Sequence, residues 1–386
     1  MKKKDWKNDI IEKYNNIKTP IYIYGAGIYG AELYELLNHY HLFGGFIDNN
    51  EKIILSGYKS ENVISEDDFF FNNLMNAIVI TASEKNTNII KNSLIQRGLV
   101  YNKDFFIYDE FLQKVFPVIA LKKYRQSFVN LSQICLTEKC TLKCKKCAHA
   151  CYAVKKDKED LTFQQVKNTA DVFFSKVDYI QEFVLIGGEP LLYEKLPQVV
   201  EYIGSRYRNQ INIFSITSNG TILPSKELIN VCKKYNVLFR ISNYTNSISN
   251  LEYQYNKLAK LFRDNKVQCR IGNKETTWMD YGFDYYERKC SNEELVEVFD
   301  KCNTPCHEIR ENRFYYCVMA RSVSDNLSYN VGEDDYLDIN KLVGDNGKEE
   351  FLKYILGYSE KGYLDMCRFC HGADCKNYPI PAAEQM

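Results

Sequence analysis

The sequence predicts an α/β protein in three parts. These are a small parallel α/β domain over residues 1–116, a full or partial barrel of parallel strands over 117–289, and a cysteine-rich part over 290–386. Two observations predict it. Strand-like and helix-like runs alternate at the spacing of βα units through the first two parts. From about Cys290 that rhythm stops, and cysteines and loop residues take over.

In the first part, Ile21–Tyr24 reads as a strand, followed by Gly25-Ala26-Gly27-Ile28-Tyr29-Gly30 and a helical stretch over Ala31–His39. A second strand closes at Asp48, a third covers Ile78–Ala82, and a helix covers Thr87–Arg97. Residues 111–130, with Pro117 and the basic Lys122-Lys123-Tyr124-Arg125, read as a connector. Strands are then expected at Gln133–Leu136, Phe183–Ile186, Ile211–Thr217, Val237–Ile241 and Val267–Ile271, with helices near 163–175, 194–207, 225–234 and 250–264. This repeat is that of a parallel-stranded barrel, full or partial. The third part shows one helical stretch, near 348–356.

A chain of 386 residues with 45% hydrophobic and 14% aromatic residues is long and apolar enough for several folded domains. Fifty basic residues balance fifty acidic ones, so no global field draws in nucleic acid or an anionic membrane. No apolar run is long enough to span a bilayer. The basic start, Met1-Lys2-Lys3-Lys4-Asp5-Trp6, lacks a following apolar stretch and is not a secretory signal. The expected location is the cytoplasm. In that reducing compartment, 14 cysteines are expected to ligate metal or clusters rather than pair as disulfides.

Cys140, Cys144 and Cys147 form a C-x3-C-x2-C motif just after the first strand of the second part. Three thiolates on one loop ligate three irons of a [4Fe–4S] cluster and leave the fourth iron open to a ligand. A zinc site is the competing reading, but zinc motifs usually pair two C-x2-C units. The motif and its place after a strand resemble the radical SAM superfamily. That resemblance implies a partial (β/α)6 barrel and S-adenosylmethionine bound at the open iron. It also implies reductive cleavage to a 5′-deoxyadenosyl radical, driven by an external one-electron reductant such as flavodoxin or ferredoxin. Gly187-Gly188-Glu189-Pro190 resembles the family's GGEP motif, which binds the cofactor's ammonium group. Thr217-Ser218-Asn219-Gly220 resembles the ribose-contacting segment, through Ser218 and Asn219, although a strand-end turn accounts for it equally. Arg240, Ser242 and Tyr244 end the next strand and are expected to face the same cavity. One departure from the family is Lys146, where many members carry an aromatic residue near the adenine. Cys135 reads as core, and Cys151 and His149 as neighbours of the motif rather than ligands.

Cys306 and Cys317, followed after a long gap by Cys367 and Cys370, resemble the twitch extension, a shortened SPASM domain. The resemblance implies one auxiliary [4Fe–4S] cluster closed by four thiolates. Cys302 and Cys375 are alternates, and a zinc site is the bland alternative. In the first part, Gly25, Gly27 and Gly30 fit G-x-G-x-x-G between a strand and a helix, and Asp48 ends the next strand at the ribose-binding offset. The segment resembles small Rossmann-like domains on sugar-modifying proteins, which implies nucleotide or nucleotide-sugar binding, or docking. A purely structural turn is the alternative.

Together these readings lead to hydrogen abstraction from a sugar or nucleotide-sugar, ending in dehydrogenation, epimerisation or dehydration. Cys290 and Cys269 are candidate hydrogen donors for inversion. A peptide-modifying maturase and a non-catalytic electron-transfer protein are the alternatives. No nucleic acid or membrane partner is expected.

Overall fold

The computed structural model describes residues 6–155, 157–283, 287–302, 306–330, 332–372 and 377–386. The chain divides into two compact units, one ending at Phe128 and the other beginning at Val129.

The first unit holds a five-stranded sheet. Its strands are β1 (Ile21–Tyr24), β2 (Phe43–Ile47), β3 (Val63–Ile64), β4 (Ala77–Ile80) and β5 (Phe105–Ile107). Their order is β3-β2-β1-β4-β5 and every pairing is parallel. This is the doubly wound order 3-2-1-4-5-6 without its last strand. The four residues of β4 are all buried, as a central parallel strand covered on both faces requires. The turn from β1 into helix Ile28–His39 needs its outer glycines. Gly25 has φ +120°, and a Cβ on Gly30 would lie 2.1 Å from the Gly25 carbonyl oxygen.

The expected connector is a buried helical segment instead. A π-helical turn, Phe111–Val115, leads into helix Phe116–Tyr124, and residues 116–121 are all buried. Pro117 stands in the first turn of that helix, where no backbone N–H is needed, so it starts the helix rather than breaking it. The helix therefore belongs with the first unit, past the boundary expected at residue 116. Strands β3 and β5 went unread because two and three residues show no periodicity.

The second unit is built on an eight-stranded sheet. It contains β6 (Phe128–Cys135), β7 (Tyr179–Ile186), β8 (Ile211–Ser218), β9 (Leu238–Ile241), β10 (Cys269–Ile271), β12 (His307–Arg310), β13 (Arg313–Tyr315) and β14 (Tyr336–Asp338). The order is β10-β9-β8-β7-β6-β12-β13-β14. It has two free ends, so the barrel is open. Strands β7 to β10 pair in parallel, and β12 joins β6 in parallel through His307–Ser132 and Glu308–Gln133. Helices Phe163–Lys176, Leu196–Tyr207, Lys226–Lys234 and Leu251–Asn265 fill the connections, as their apolar spacing predicts. A small antiparallel pair, β11 (Thr277–Met279) with β15 (Pro379–Pro381), stands apart from the large sheet.

The cysteine-rich part is more regular than its sequence suggests. It has three helices, Asn292–Lys301, Val318–Leu327 and Gly344–Ile355, among the described residues. Its strands β12 to β14 extend the barrel sheet, so it belongs to the same compact unit. The strands run only three or four residues, too short to reveal alternation in the sequence. No described helix is long and apolar enough to cross a membrane.

Asp335 ties this part together. Its fully buried carboxylate accepts the backbone N–H groups of Asp365 (2.6 Å) and Met366 (2.9 Å). Burial pushes its pKa up to about 7, and Asp365 nearby adds to the rise. The folded chain thus retains a proton that the unfolded chain releases above the ordinary value of 3.8. Stability therefore falls as pH rises from about 4 through about 7. Thermal midpoints measured across that range should show the decline, and Asp335→Asn, which carries no charge at any pH, should flatten it.

Candidate active site

Strand β6 ends in a segment that runs directly against the loop after β7. Leu136 N–H donates to Ile186 O (2.8 Å), Gly188 N–H to Thr137 O (2.8 Å) and Glu189 N–H to Lys139 O (2.8 Å). A Cβ on Gly187 would sit 2.5 Å from Thr137 O, and one on Gly188 2.4 Å from Lys139 O. Both positions are glycine because backbone passes where a side chain would stand. This contact presses the three-cysteine loop onto the mouth of the barrel.

There Cys140, Cys144 and Cys147 line one cavity of about 330 Å³. Gly187 and Gly188, Thr217 to Asn219, Ser242 and Tyr244 line it from the strand ends. Trp278, Met279 and Tyr281 form another wall. Hydrogen-bond donors surround the sulfurs. Leu142 N–H (3.4 Å) and Asn219 Nδ2 (3.5 Å) approach Cys140, and Gln385 Nε2 (3.2 Å) approaches Cys144. Burial raises the Cys140 thiol and pushes Cys144 up to about 12, against the Gln385 contact. Cys147 is pulled down, chiefly by the Cys151 thiol donating to it. Cys151 is thus a neighbour of the motif, and it also lines the cavity.

Among the described residues, no group of three or more His, Cys, Asp or Glu side chains is gathered as the ligands of one metal ion. Thiols that ligate separate irons of a cluster need not converge so closely. A sulfur-only donor set on one loop, with N–H donors aimed at two of its sulfurs, fits an iron–sulfur cluster by ligand chemistry.

Glu189 behaves differently from its sequence reading. Its carboxylate is fully buried and accepts Ser218 Oγ (2.8 Å), Asn219 N–H (2.8 Å) and Leu191 N–H (3.1 Å). Burial raises its pKa. It fastens the loop after β8 to the loop after β7 and is absent from the cavity lining, as is Pro190, which starts the turn Pro190–Leu192. The glycines, not the acid, face the cavity. Arg240 is also drawn away, holding Glu182 through Nε (2.6 Å) and Nη2 (2.8 Å). It lines a second recess of about 340 Å³ beside Arg270, and that recess shares Thr217, Ser242, Tyr244 and Trp278 with the first. Lys146 pairs with Asp280 at 3.3 Å, and the aromatic surface comes from Tyr244 and Trp278, packed edge-on at 5.6 Å.

Neither candidate hydrogen donor is among the cavity-lining residues. Cys269 lies in β10, paired with Phe239, and Cys290 packs against Leu295, Phe299 and Tyr363. The late cysteines do converge. Burial raises Cys317 and Cys367, and both also feel Cys302 and Cys370. Cys306, pushed up to about 11 by burial, also feels Glu182 and Cys302, and it packs with Cys317 and Cys370 against one apolar cluster. Cys302, held open as an alternate, thus lies near Cys306, Cys317 and Cys367. Cys375 lies outside the described residues. The thirteen described cysteines are free thiols.

In the separate first unit, the Asp48 carboxylate is engaged by Ala26 N–H (2.9 Å) and Asn50 N–H (2.9 Å), which stiffen the glycine turn. Gly27 has open space where a Cβ would stand, so packing does not demand a glycine there.

Sequence reasoning missed Trp278, Met279, Tyr281, Arg321 and Gln385. All lie far along the chain from the motif: Trp278 and Met279 in a three-residue strand, Tyr281 and Gln385 outside helices and strands, and Arg321 in the helix Val318–Leu327. Arg321 is 2% exposed and ion-pairs with Glu138, two residues before Cys140, and with Glu308 of β12. Burial alone would raise Glu138, but Arg321 holds it down at about 2.

Residues 134–270 match the sequence profile described as the Radical SAM superfamily. A search of curated protein sequences finds no match. Similar solved structures include native anSMEcpe with bound AdoMet and Cp18Cys peptide, at 19% identity and TM-score 0.30, covering 37% of this chain and 42% of that one. Streptococcus suis SuiB bound to S-adenosylmethionine aligns at 22% identity and TM-score 0.31, covering 56% and 48%. BtrN in complex with AdoMet and 2-DOIA aligns at 14% identity and TM-score 0.41, covering 68% and 98%. The chain thus spans less than half the length of the first two.

Removing Arg321 would leave the buried Glu138 and Glu308 carboxylates without the cation they share. Arg321→Met should destabilise the second unit by about 3–5 kcal/mol, read from denaturant unfolding. The triple variant with Glu138→Gln and Glu308→Gln should recover part of that loss.

Proposed function

We propose that this chain, a radical SAM superfamily member through residues 134–270, abstracts hydrogen from a sugar or nucleotide-sugar substrate. The observation that carries the radical SAM reading is the single cavity shared by Cys140, Cys144 and Cys147 with the backbone of Gly187 and Gly188. The three cysteines would hold a [4Fe–4S] cluster, and the glycine loop with Ser218, Asn219 and Ser242 would hold S-adenosylmethionine. Bound together and reduced by an external flavodoxin or ferredoxin, these groups supply a 5′-deoxyadenosyl radical.

The chain's own residues prepare the cavity for that chemistry. Gly187 and Gly188 bring backbone close enough for polar groups to meet an ammonium and a carboxylate. Asn219 reaches Thr141 (3.1 Å) as well as Cys140, coupling the strand-end loop to the cysteine loop. Tyr244, Trp278, Met279 and Tyr281 wall the space with apolar surface that limits water. Arg270 in the adjoining recess suits the anionic part of a substrate such as a nucleotide-sugar, while Arg240 there stays paired with Glu182.

The late cysteines support an auxiliary cluster held by Cys317, Cys367 and Cys370, with Cys302 or Cys306 as the fourth ligand. Such a cluster would accept an electron from a substrate radical and favour dehydrogenation. The parallel five-stranded sheet and glycine turn of the first unit support a Rossmann-like nucleotide or nucleotide-sugar module. Its glycines play unequal parts, with Gly25 and Gly30 shaping the turn and Gly27 facing open space.

Anaerobic protein reduced with dithionite should convert S-adenosylmethionine to 5′-deoxyadenosine, detected by mass spectrometry. Cys144→Ala should lower the yield at least a hundredfold, and an unchanged yield would reject the reading. Reconstituted protein should carry about eight irons, as two four-iron clusters require. Cys317→Ala should reduce that count to about four, and of Cys302→Ala and Cys306→Ala the one that lacks the fourth ligand should do the same. A count that stays near eight in Cys317→Ala would reject the auxiliary cluster.

A further inference from the structure

The segment after β15 runs antiparallel along the three-cysteine loop, with Gln385 bridging to Cys144. Met386 N–H donates to Lys143 O (2.9 Å) and Lys145 N–H to Glu384 O (2.7 Å). The Gln385 side chain turns in between these backbone bonds. Its Oε1 accepts Lys143 N–H (2.9 Å), while Nε2 donates to Ala383 O (2.7 Å) and to Cys144 Sγ (3.2 Å). With the oxygen end taken by an N–H group, the amide has one orientation, and its nitrogen must face the sulfur. The segment is anchored independently of the loop. Ser247 Oγ donates to Ala382 O (2.6 Å), Ala383 is fully buried, and Ile380 pairs with Trp278. The strand that holds the Trp278 wall of the cavity therefore also delivers an N–H donor to a cysteine sulfur.

We infer that Gln385 is a positioning residue for the three-cysteine cluster, holding the Cys144 sulfur in place and raising the cluster's reduction potential. The inference rests on the reading that Cys140, Cys144 and Cys147 hold that cluster. A hydrogen bond to a ligating thiolate favours the more negative, reduced state, and such bonds tune cluster potentials. The Gln385 contact is shorter than the two donors on Cys140, at 3.2 Å against 3.4 and 3.5 Å. A neutral amide gives this stabilisation without placing a full charge beside the cavity.

The test compares Gln385→Leu, Gln385→Glu and Lys145→Ala in the full-length, anaerobically reconstituted protein. Each is followed by redox titration with electron paramagnetic resonance, using the signal that changes on adding S-adenosylmethionine. Iron release to a chelator is the second readout. Gln385→Leu lacks the donor. Gln385→Glu keeps the Lys143 contact and turns an anionic oxygen toward the sulfur. Both should titrate at more negative potentials and lose iron several-fold faster than the parent. Lys145→Ala cuts only the exposed ion pair to Glu384 and should match the parent. If Gln385→Leu holds no iron, Gln385→Glu carries the test alone. Parent-like behaviour of both Gln385 variants overturns the inference, as does an equal shift in Lys145→Ala, which would assign the effect to the segment as a whole. Parent protein that binds no iron would instead refute the cluster reading itself.

Discussion

A buried guanidinium organises the second unit. Arg321 projects from helix Val318–Leu327 between Glu138, on the approach to the cysteine loop, and Glu308, on the strand added beside β6. Charges this deep persist only when paired, so the three side chains act as one unit. Gln133 Nε2 extends the network by donating to Glu308 (3.0 Å), and Asn326 Nδ2 extends it to Glu138 (3.2 Å). The helix that begins next to Cys317 is thereby tied to the segment that leads into Cys140. The two groups of cysteines are parts of one folded body, and one pinned arginine sits between them.

Around that anchor, the cysteine loop is fixed by backbone more than by side chains. Gly187 and Gly188 let residues 137–139 pass within hydrogen-bonding distance of the loop after β7. Glu189 then fastens the same loop to Ser218 and Asn219, and Asn219 reaches back to Cys140. The residue with the most obvious chemistry in Gly-Gly-Glu-Pro is thus structural, and the featureless glycines face the cavity. This inversion follows from desolvation. A carboxylate at zero exposure needs every available donor; the loop after β8 supplies two and its own turn, through Leu191 N–H, a third.

Some of this was legible in the chain itself. The spacing of Cys140, Cys144 and Cys147 and the alternation of strands and helices are local patterns. They survive folding because ligand spacing on a loop and side-chain periodicity are properties of a few consecutive residues. The long strands β7 and β8 and the four barrel helices followed from the same signal. The failures were short or misleading elements. Pro117 read as a break although it begins a helix, and the three-residue strands of the cysteine-rich part had no period to display.

What the sequence by itself determined was therefore the α/β class, the radical SAM motif and the existence of a second group of cysteines. Tertiary structure decided how those cysteines lie, with Cys302 near Cys306, Cys317 and Cys367. It also decided that Glu189 and Arg240 serve their neighbours rather than the cavity, and that Trp278 and Gln385 close around the cysteine loop. These outcomes depend on partners distant along the chain. Their energies come from burial and hydrogen bonding, which arise only when the segments pack together and which no local spacing records.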